Sequence, residues 1–363
     1  MPASLTVRLV SIPLLVPFAT RFGTERSRDA LILTYRSKGV EAYSECVTSE
    51  RPGYSRENNS SALRAIKVKL APLLAGEPAP REFTRMSERL EGNEMAKASV
   101  EMLLWDYRCR RELTRMADAL GKSKGYAEVG VALGLERPEV LVERVWDALE
   151  RGYRRVKLKI RRGEEYATVK RVRADFPDAQ LSVDANGDYS LDDAQTLERL
   201  DEFGLAYIEE PLGSGRLEEH AKLAEKISTP ICLDESVPTV ESARLAIEMG
   251  AAKVVNIKPG RMGGLTNALE AIAAVRKAGG SCWVGGMLET GVGRAFNVAL
   301  ASLEAVDLPG DTSPNDRYFE RDIVRNPFVM KSGTISPGRG LGSGAVIDKA
   351  FLDSCTKESW KVF

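Results

Sequence analysis

The chain has 363 residues, of which 43% are hydrophobic and 29% are charged, the composition of a soluble globular protein. This length is too great for one small domain and suits a large α/β domain with a smaller companion. Lysine plus arginine and aspartate plus glutamate both number 52, and a formal charge of zero argues against nucleic acid or an anionic membrane surface as the main partner.

The apolar N-terminal stretch "LTVRLVSIPLLVPFA" superficially resembles an export signal. Arg8 interrupts it, and Pro13 and Pro17 would break a helix there, so we expect a strand followed by a loop. No run of roughly 18 uncharged apolar residues predicts a transmembrane helix. The five cysteines are widely spaced and never form C-x-x-C, which indicates neither a disulfide framework nor a zinc site. These features predict a cytoplasmic protein.

Residues 4–47 have the pattern of a β-meander, with strands at "LTVRLVSI", "DALILTYRS" and "VEAYSECV". Helical patterns follow at 60–74, 82–90 and 95–113. We therefore expect an α+β domain over residues 1–125, a normal domain size.

From about residue 126, short β-type runs alternate with amphipathic helical runs. The predicted strands are "AEVGVAL", "RRVKLKI", "AQLSVDA", "LAYIEE", "PICLDE", "AKVVNIK" and "SCWVGG". Seven successive strand–helix units with short loops favour a parallel barrel over residues 126–320. The last segment, 321–363, is rich in Gly and Pro, and we expect it to pack back on the first domain.

Charged residues recur at the ends of these strands. Lys159, Asp184, Glu209, Asp234 and Lys258 are separated by 25, 25, 25 and 24 residues, the length of one strand-plus-helix unit. They therefore occupy equivalent places at the carboxyl ends of five successive strands, which converge on one mouth in a barrel. Each alone is most simply a solvated charge, but the shared register makes that interpretation improbable for all five.

These residue types fit removal of a proton α to a carboxylate. Three clustered carboxylates repel one another unless a cation lies between them, and oxygen-only ligands suit a hard divalent ion, Mg²⁺ first, with Mn²⁺ or another divalent ion as alternatives. A partly buried lysine beside that ion is favoured as the neutral amine, a usable base. A barrel that holds a metal only for stability is the stronger alternative, but it does not explain the two lysines.

Five motifs surround these positions: "KLK" (157–159), "VDANGDYS" (183–190), "IEEP" (208–211), "LDES" (233–236) and "NIKPGRMGGL" (256–265). With them the chain resembles the enolase superfamily, in its muconate-lactonising subgroup. Four further segments are similar to its o-succinylbenzoate synthase and N-acylamino acid racemase branch: "PFATRFGTE" (17–25), "MAKASVEMLLWD" (95–106), "GGMLETGVGR" (285–294) and "LPGDTSPNDRYF" (308–319). The resemblance spans nearly the whole chain. It implies a modified TIM barrel, (β/α)₇β, with an N-terminal α+β capping domain.

The resemblance also implies roles for the strand-end residues. Lys159 would be the base on one face, and Lys258 would be the acid/base on the other in racemisation or a stabilising cation in dehydration. Lys157 would lower the pKa of Lys159. The metal ligands would be Asp184, Glu209 and Asp234.

Substrate contacts are implied more loosely. The capping loops would supply Phe18, Phe22 and Tyr54, and the acyl side would be lined by Gly286, Met287 and Leu288. Asn186 would lie near the substrate, with Glu235 supporting the site from behind. Ala132 departs from the small hydroxyl residue expected in relatives, which bears on the substrate tail alone.

Other signals receive plainer interpretations. His220, the sole histidine, lies in the polar helical run "LEEHAKLAEK" and is expected at the surface. The charge run "ERGYRRVK" (150–157) is expected to be a solvated helix end. The glycine clusters "GRMGG" and "GGMLETGVG" lack the dinucleotide-binding context and indicate tight turns.

The resemblance therefore implies a Mg²⁺-dependent o-succinylbenzoate synthase of menaquinone biosynthesis, with N-succinylamino acid racemisation as the alternative. Dipeptide epimerisation and muconate lactonisation are weaker options, and a non-catalytic metal-binding barrel is a hypothesis of another class. The expected partner is a small-molecule carboxylate, with no nucleic acid or membrane, and the expected assembly is a homo-oligomer.

Overall fold

The computed structural model describes residues 2–20 and 23–363. Its N-terminal domain is built on an antiparallel sheet that includes β1 (Ser4–Thr20), β2 (Gly23–Ser37) and β3 (Val40–Cys46), paired in that order. Lys38 and Gly39 form the turn between β2 and β3 with φ of 48° and 79°, the positive values that a two-residue hairpin requires.

The first strand is longer than predicted, and the prediction of a loop in the second half of this segment is wrong. β1 runs on past Pro13, where it pairs with Ser27, and pairing with β2 resumes at Phe18 opposite Glu25. The register shifts between Pro13 and Phe18. A proline cannot donate to the ladder, so it is tolerated where the pairing is irregular.

Four helices complete this domain: α1 (Asn59–Ala65), α2 (Pro80–Ser87), α3 (Glu94–Arg111) and α4 (Met116–Leu120). A capping box between Asn58 and Ser61 begins α1. The long helix α3 packs across the sheet, and most of its residues are buried. The apolar core of the domain lies between α1, α3 and the sheet.

The second domain is a barrel-like parallel sheet of seven strands. The strands from β4 onward are β4 (Ala127–Glu128), β5 (Gly130–Leu133), β6 (Arg155–Lys159), β7 (Leu181–Asp184), β8 (Ile208–Glu209), β9 (Ile231–Leu233), β10 (Val254–Ile257) and β11 (Ser281–Val284). β5 to β11 lie side by side in sequence order, as the strand–helix alternation predicted.

The helices between these strands cover the outside of the sheet. They are α5 (Pro138–Glu150), α6 (Glu165–Asp175), α7 (Ala194–Glu198), α8 (Leu217–Ala224), α9 (Val240–Glu248), α10 (Leu265–Lys277) and α11 (Gly291–Ala301). Apolar residues of the strands and of these helices form one continuous core.

A short segment without a strand pattern closes the ring. The backbone N–H groups of Leu308 and Asp311 donate to Cys282 and Val284 of β11 at 3.3 and 3.0 Å. On the other side, Gly310 donates to Glu128 at 3.1 Å and accepts from Gly130 at 2.7 Å. Residues 308–311 therefore take the place of an eighth strand between the two edges.

The rest of the chain returns to the first domain. β12 (Thr334–Ile335) pairs with β4, and α12 (Lys349–Cys355) leads directly into β13 (Thr356–Lys361). β13 pairs antiparallel with β1 and becomes the outer strand of the N-terminal sheet.

Two sequence interpretations are wrong. His220 is fully buried: its Nε2 accepts from the Leu212 N–H at 3.2 Å, and its Nδ1 lies 2.9 Å from the Arg216 carbonyl. In the run expected to be a solvated helix end, Arg155 and Lys157 are 1% and 3% exposed because they lie on β6 and point into the barrel. Among the residues described, no helix has the length and apolar character needed to cross a membrane.

Candidate active site

The five periodic residues meet in one cavity of about 550 Å³ at the mouth of the barrel. Lys159, Asp184 and Glu209 are the last residues of β6, β7 and β8, and Asp234 and Lys258 directly follow β9 and β10. Lys159 is in register with Asp184, and Asp184 with Glu209. The regular parallel pairing thus places one charge from each strand on the same edge.

Each of the three carboxylates at this edge forms an ion pair with a lysine side chain. Lys159 Nζ lies 2.6 Å from Asp184, and Lys258 Nζ lies 2.7 Å from Asp234. Lys157 Nζ lies 2.5 Å from Glu209. Lys159 also donates to the side-chain oxygen of Asn186, which lines the cavity.

The two strand-end lysines approach the cavity from opposite sides. β6 and β10 are four strands apart in the sheet order, half of an eight-membered ring when the closing segment 308–311 is included. Lys159 and Lys258 therefore flank the three carboxylates, one on each face of any group held between them.

Burial and charge set the pKa values of these groups. Burial acts to raise the pKa of Asp184, but Lys159 and Lys157 outweigh it and hold that pKa below its usual value. Burial and the negative charge of Asp184 raise the pKa of Glu209 to about 7. Burial acts to lower the pKa of Lys258, but Asp234 raises it well above the ordinary value. With these partners Lys258 is an ammonium ion, so a neutral amine there requires that the carboxylate be engaged elsewhere.

The donor set fits a hard divalent cation. Three buried carboxylates stand on adjacent strand ends, and their mutual repulsion is visible in the raised pKa of Glu209. Within residues 2–20 and 23–363, however, no three His, Cys, Asp or Glu side chains are arranged to hold a metal ion. The carboxylate oxygens are turned toward the lysines instead, so binding of a cation would require the lysines to release them.

The capping domain contributes Tyr54, as the resemblance implied. Its hydroxyl donates to Asp234 at 3.1 Å and accepts from Lys258 at 3.1 Å, and the Lys258 ammonium lies 4.4 Å from the ring centre. The side chain of Phe18 is not among the described features, and Phe22 lies outside the described residues.

The loop after β11 forms another wall of the cavity. Gly286, Met287 and Leu288 all line it, and Leu288 has a positive φ of 57°. A Cβ on Gly286 would lie 2.5 Å from the Asp311 carbonyl, so only glycine fits there. Glu235 does not line the cavity but accepts from the Asn186 side chain at 3.2 Å, which places it behind the site.

Two site residues, Arg261 and Asp311, were missed by the sequence analysis. Arg261 binds Asp234 and donates to the Tyr54 hydroxyl at 2.8 Å, and its place in "NIKPGRMGGL" three residues after Lys258 was an available signal. Asp311, on the closing segment, lies 2.8 Å from Lys157 and 2.6 Å from Arg155. No periodic signal marked Asp311, because the eighth position of the ring is not part of a strand–helix unit.

Comparison with known proteins agrees with this architecture. Residues 3–121 match the mandelate racemase / muconate lactonizing enzyme N-terminal domain, and residues 140–351 match the enolase C-terminal domain-like family. The chain is 41% identical to an N-succinylamino acid racemase of Thermus thermophilus, covering 96% of each chain. It is 37% identical to an o-succinylbenzoate synthase of Geobacillus stearothermophilus, covering 98% of this chain and 96% of the other.

A solved member of the enolase superfamily from Listeria innocua superposes with a TM-score of 0.95 at 36% identity, covering 99% of this chain and 98% of the other. The matches of both domains, the strand-end motifs and the similarity over nearly the full length all point to the same family. The chain belongs to the enolase superfamily, in its muconate-lactonising subgroup and the branch of o-succinylbenzoate synthases and N-succinylamino acid racemases.

Proposed function

We propose that this enzyme is a Mg²⁺-dependent o-succinylbenzoate synthase of menaquinone biosynthesis, with racemisation of N-succinylamino acids as a second activity of the same site. The observation that carries the proposal is the pair of lysines, Lys159 and Lys258, that face each other across three buried carboxylates. Relatives named for each activity support the two chemistries.

Asp184, Glu209 and Asp234 would hold the ion. Mg²⁺ would supply positive charge that stabilises the carboxylate of the substrate as it becomes an enediolate. Mg²⁺ is preferred because all three donors are carboxylate oxygens on short, rigid strand ends.

The lysines would move the proton. Lys159, released from Asp184, takes the α-proton as a neutral amine. Lys258 stands on the opposite face, where it either stabilises the resulting anion as an ammonium ion or returns a proton. In the first outcome the C–O bond of the substrate hydroxyl breaks, and the hydroxyl leaves as water with the proton that Lys159 has taken up. In the second outcome the new C–H bond forms on the opposite face, which inverts the α-carbon.

Racemisation is the second candidate because the chain is more similar to two N-succinylamino acid racemases than to the Geobacillus stearothermophilus synthase. Identity is 42% to an N-succinylamino acid racemase of Amycolatopsis, against 37% to the Geobacillus stearothermophilus synthase. Both lysines are in place, so the catalytic residues do not separate the two activities.

A side-by-side assay of dehydration and racemisation on the purified protein with Mg²⁺ tests the proposal. Lys159→Ala should abolish exchange of the substrate α-proton with deuterated water. Lys258→Arg keeps a cation but is not a usable acid/base, so it should depress racemisation far more than dehydration. If Lys159→Ala leaves α-proton exchange and both activities unchanged, the barrel is not catalytic in this way.

A further inference from the structure

The capping-domain wall of the cavity carries a buried arginine without an ion pair. Arg28 lies on β2, is 2% exposed and lines the cavity. Its Nε and Nη2 atoms are buried and have no hydrogen-bond partner. A buried donor left without an acceptor costs free energy, and such groups in a native protein call for a ligand or another explanation.

Arg28 differs from the other buried arginines in lacking an ion pair, although those arginines also have nitrogens without a hydrogen-bond partner. The described part of the chain buries three more, and each has a carboxylate within ion-pair distance: Arg155 with Asp311, Arg261 with Asp234, and Arg294 with Glu289. Among the described residues, Arg28 is the one buried arginine without such a partner. The fold thus pairs its buried guanidinium groups as a rule, and the exception faces the cavity.

The nearby negative charge of Glu45 does not fill this role. Glu45 is close enough to interact electrostatically with Arg28. Its oxygens, however, accept from the N–H of Thr290, the hydroxyl of Thr290 and the N–H of Gly293 at 3.0, 2.6 and 3.1 Å. The lone pairs of Glu45 are therefore directed at the barrel loop, and Arg28 makes no hydrogen bond to them.

These contacts also locate Arg28 relative to the substrate. Glu45 binds Thr290, two residues after Leu288, which lines the cavity wall where the resemblance implies the acyl side. The lysines and strand-end carboxylates lie on the barrel side of the same cavity. A substrate held by its reacting carboxylate at the barrel end would then extend its acyl arm toward the capping domain, where Arg28 lies.

We propose that Arg28 binds the distal carboxylate of a succinyl-type acyl arm and makes the cavity selective for dicarboxylates. This inference takes its substrate class from the proposed function. The distal carboxylate would give the guanidinium the hydrogen-bond acceptor that it lacks. A neutral acyl arm of the same size would leave the guanidinium without a charged partner. Selectivity of this kind arises because a site built to hydrogen-bond a group discriminates against the analogue without it.

The test compares two isosteric ligands, N-succinyl-L-alanine and N-succinamoyl-L-alanine, in which a primary amide replaces the distal carboxylate. Their affinities for the full chain with Mg²⁺ are measured by titration calorimetry. The wild type should prefer the carboxylate about 10- to 100-fold, the range for a hydrogen bond to a charged group. Arg28→Met should bring the ratio near one by weakening only the carboxylate ligand, and Arg28→Lys should keep part of the preference.

Arg26→Met is the matched control, because Arg26 lines the same cavity two residues earlier on β2 but is exposed. It should leave the ratio unchanged. Equal binding of the two ligands by the wild type, no binding of either, or a preference that survives in Arg28→Met would each overturn the proposal. Calorimetry measures binding without turnover, so it separates the two proposals. If the preference for the carboxylate ligand depends on Arg28 but the protein shows no α-proton exchange, the subsite is supported and the proposed function is refuted.

Discussion

Two groups of buried or partly buried carboxylates in this molecule are compensated differently. At the barrel mouth, Asp184, Asp234 and Asp311 face lysine and arginine side chains. We call the contact of Glu45 and Glu101 with the barrel the seam. There the carboxylates accept hydrogen bonds from backbone N–H groups. The difference separates charges available to a ligand from charges that hold the two domains together.

The seam consists of two helix N-termini capped from the other domain. Glu101 on α3 accepts from the N–H groups of Leu265 and Thr266 at 2.8 and 2.9 Å, where α10 begins. A Cβ on Gly264, whose φ is 131°, would lie 2.4 Å from Glu101, so the close approach needs glycine. Glu45 on β3 caps α11 in the same way. Helix N-termini stabilise negative charge through their free N–H groups and the helix dipole.

The pKa values of the mouth aspartates and of the seam glutamates move in opposite directions. Burial acts to raise the pKa of Asp311, but Lys157 and Arg155 hold it well below its usual value. Burial raises the pKa of Glu45 to about 7, and it raises the pKa of Glu101 despite four hydrogen bonds to that carboxylate. Full positive charges therefore hold down the pKa values of the three mouth aspartates, although burial and Asp184 still raise that of Glu209 beside them. At the seam, backbone dipoles compensate burial only in part.

The largest effect should come from removing a charge at the mouth. In Asp311→Asn, the buried cations Arg155 and Lys157 lose a partly buried counter-charge, and Arg155 already has two nitrogens without partners. Breaking a buried ion pair from one side costs about 3–5 kcal/mol, to be measured by urea unfolding. Catalysis should also fall, because Lys157 is no longer fixed beside Glu209.

Asp316→Asn is the control for that change. Asp316 lies five residues later, its side chain is 71% exposed, and it is 3.6 Å from Arg151. An exposed pair contributes about 0–1 kcal/mol. Equal losses of stability in the two variants would contradict the distinction between the mouth and the surface.

At the seam, Glu101→Gln should lower the free energy of unfolding by about 2–3 kcal/mol. The amide keeps one acceptor for Thr266 and Trp105 but turns an N–H₂ toward the N–H of Leu265. Activity per folded molecule should be unchanged, since Glu101 does not line the cavity. The control is Glu112→Gln, an exposed change at the end of the same helix, which should have little effect on the free energy of unfolding. A loss of kcat in Glu101→Gln without a loss of stability would refute the structural role of Glu101.

The contrast between the two regions also explains what the sequence could predict. The strand–helix alternation and the 25-residue spacing follow from local patterns, so the sheet and the five strand-end residues were predictable. Asp311 lies in the quoted motif 308–319, but the spacing did not mark it as a site residue, because its segment contributes only a few backbone hydrogen bonds and has no strand pattern. Glu101 and Glu45 were not either, because capping across a domain interface depends on how the domains dock.

Burial of polar residues was the other source of error. Arg155 lies in a charged run, and His220 lies in a polar helix, yet both are buried, and each has a polar partner inside the protein. Arg155 has Asp311, and His220 has two backbone groups. Hydrophobicity alone cannot reveal such partners, which come from distant parts of the chain or from the fold of a loop.

The smallest predicted effect is a pH dependence that belongs to the seam. The carboxyl of Glu45 has a pKa of about 7 in the folded protein against about 4.3 in an unfolded chain. Between these values the folded protein holds a proton that the unfolded chain has released, so the contribution of this group to stability is complete below about pH 4.3 and is lost as the pH rises through 7.

Glu45→Gln cannot titrate, so it isolates that contribution. The stability of the wild type relative to Glu45→Gln should fall by about 1.5 kcal/mol between pH 5.5 and 7.0, measured by urea unfolding across that range. Asp322 caps the same helix through the N–H of Gly291, and burial raises its pKa to about 6, but it is present in both proteins and cancels in the difference. Parallel pH profiles would mean that the helix N–H groups, with Arg28 nearby, keep Glu45 ionised, and that the seam is compensated as fully as the mouth.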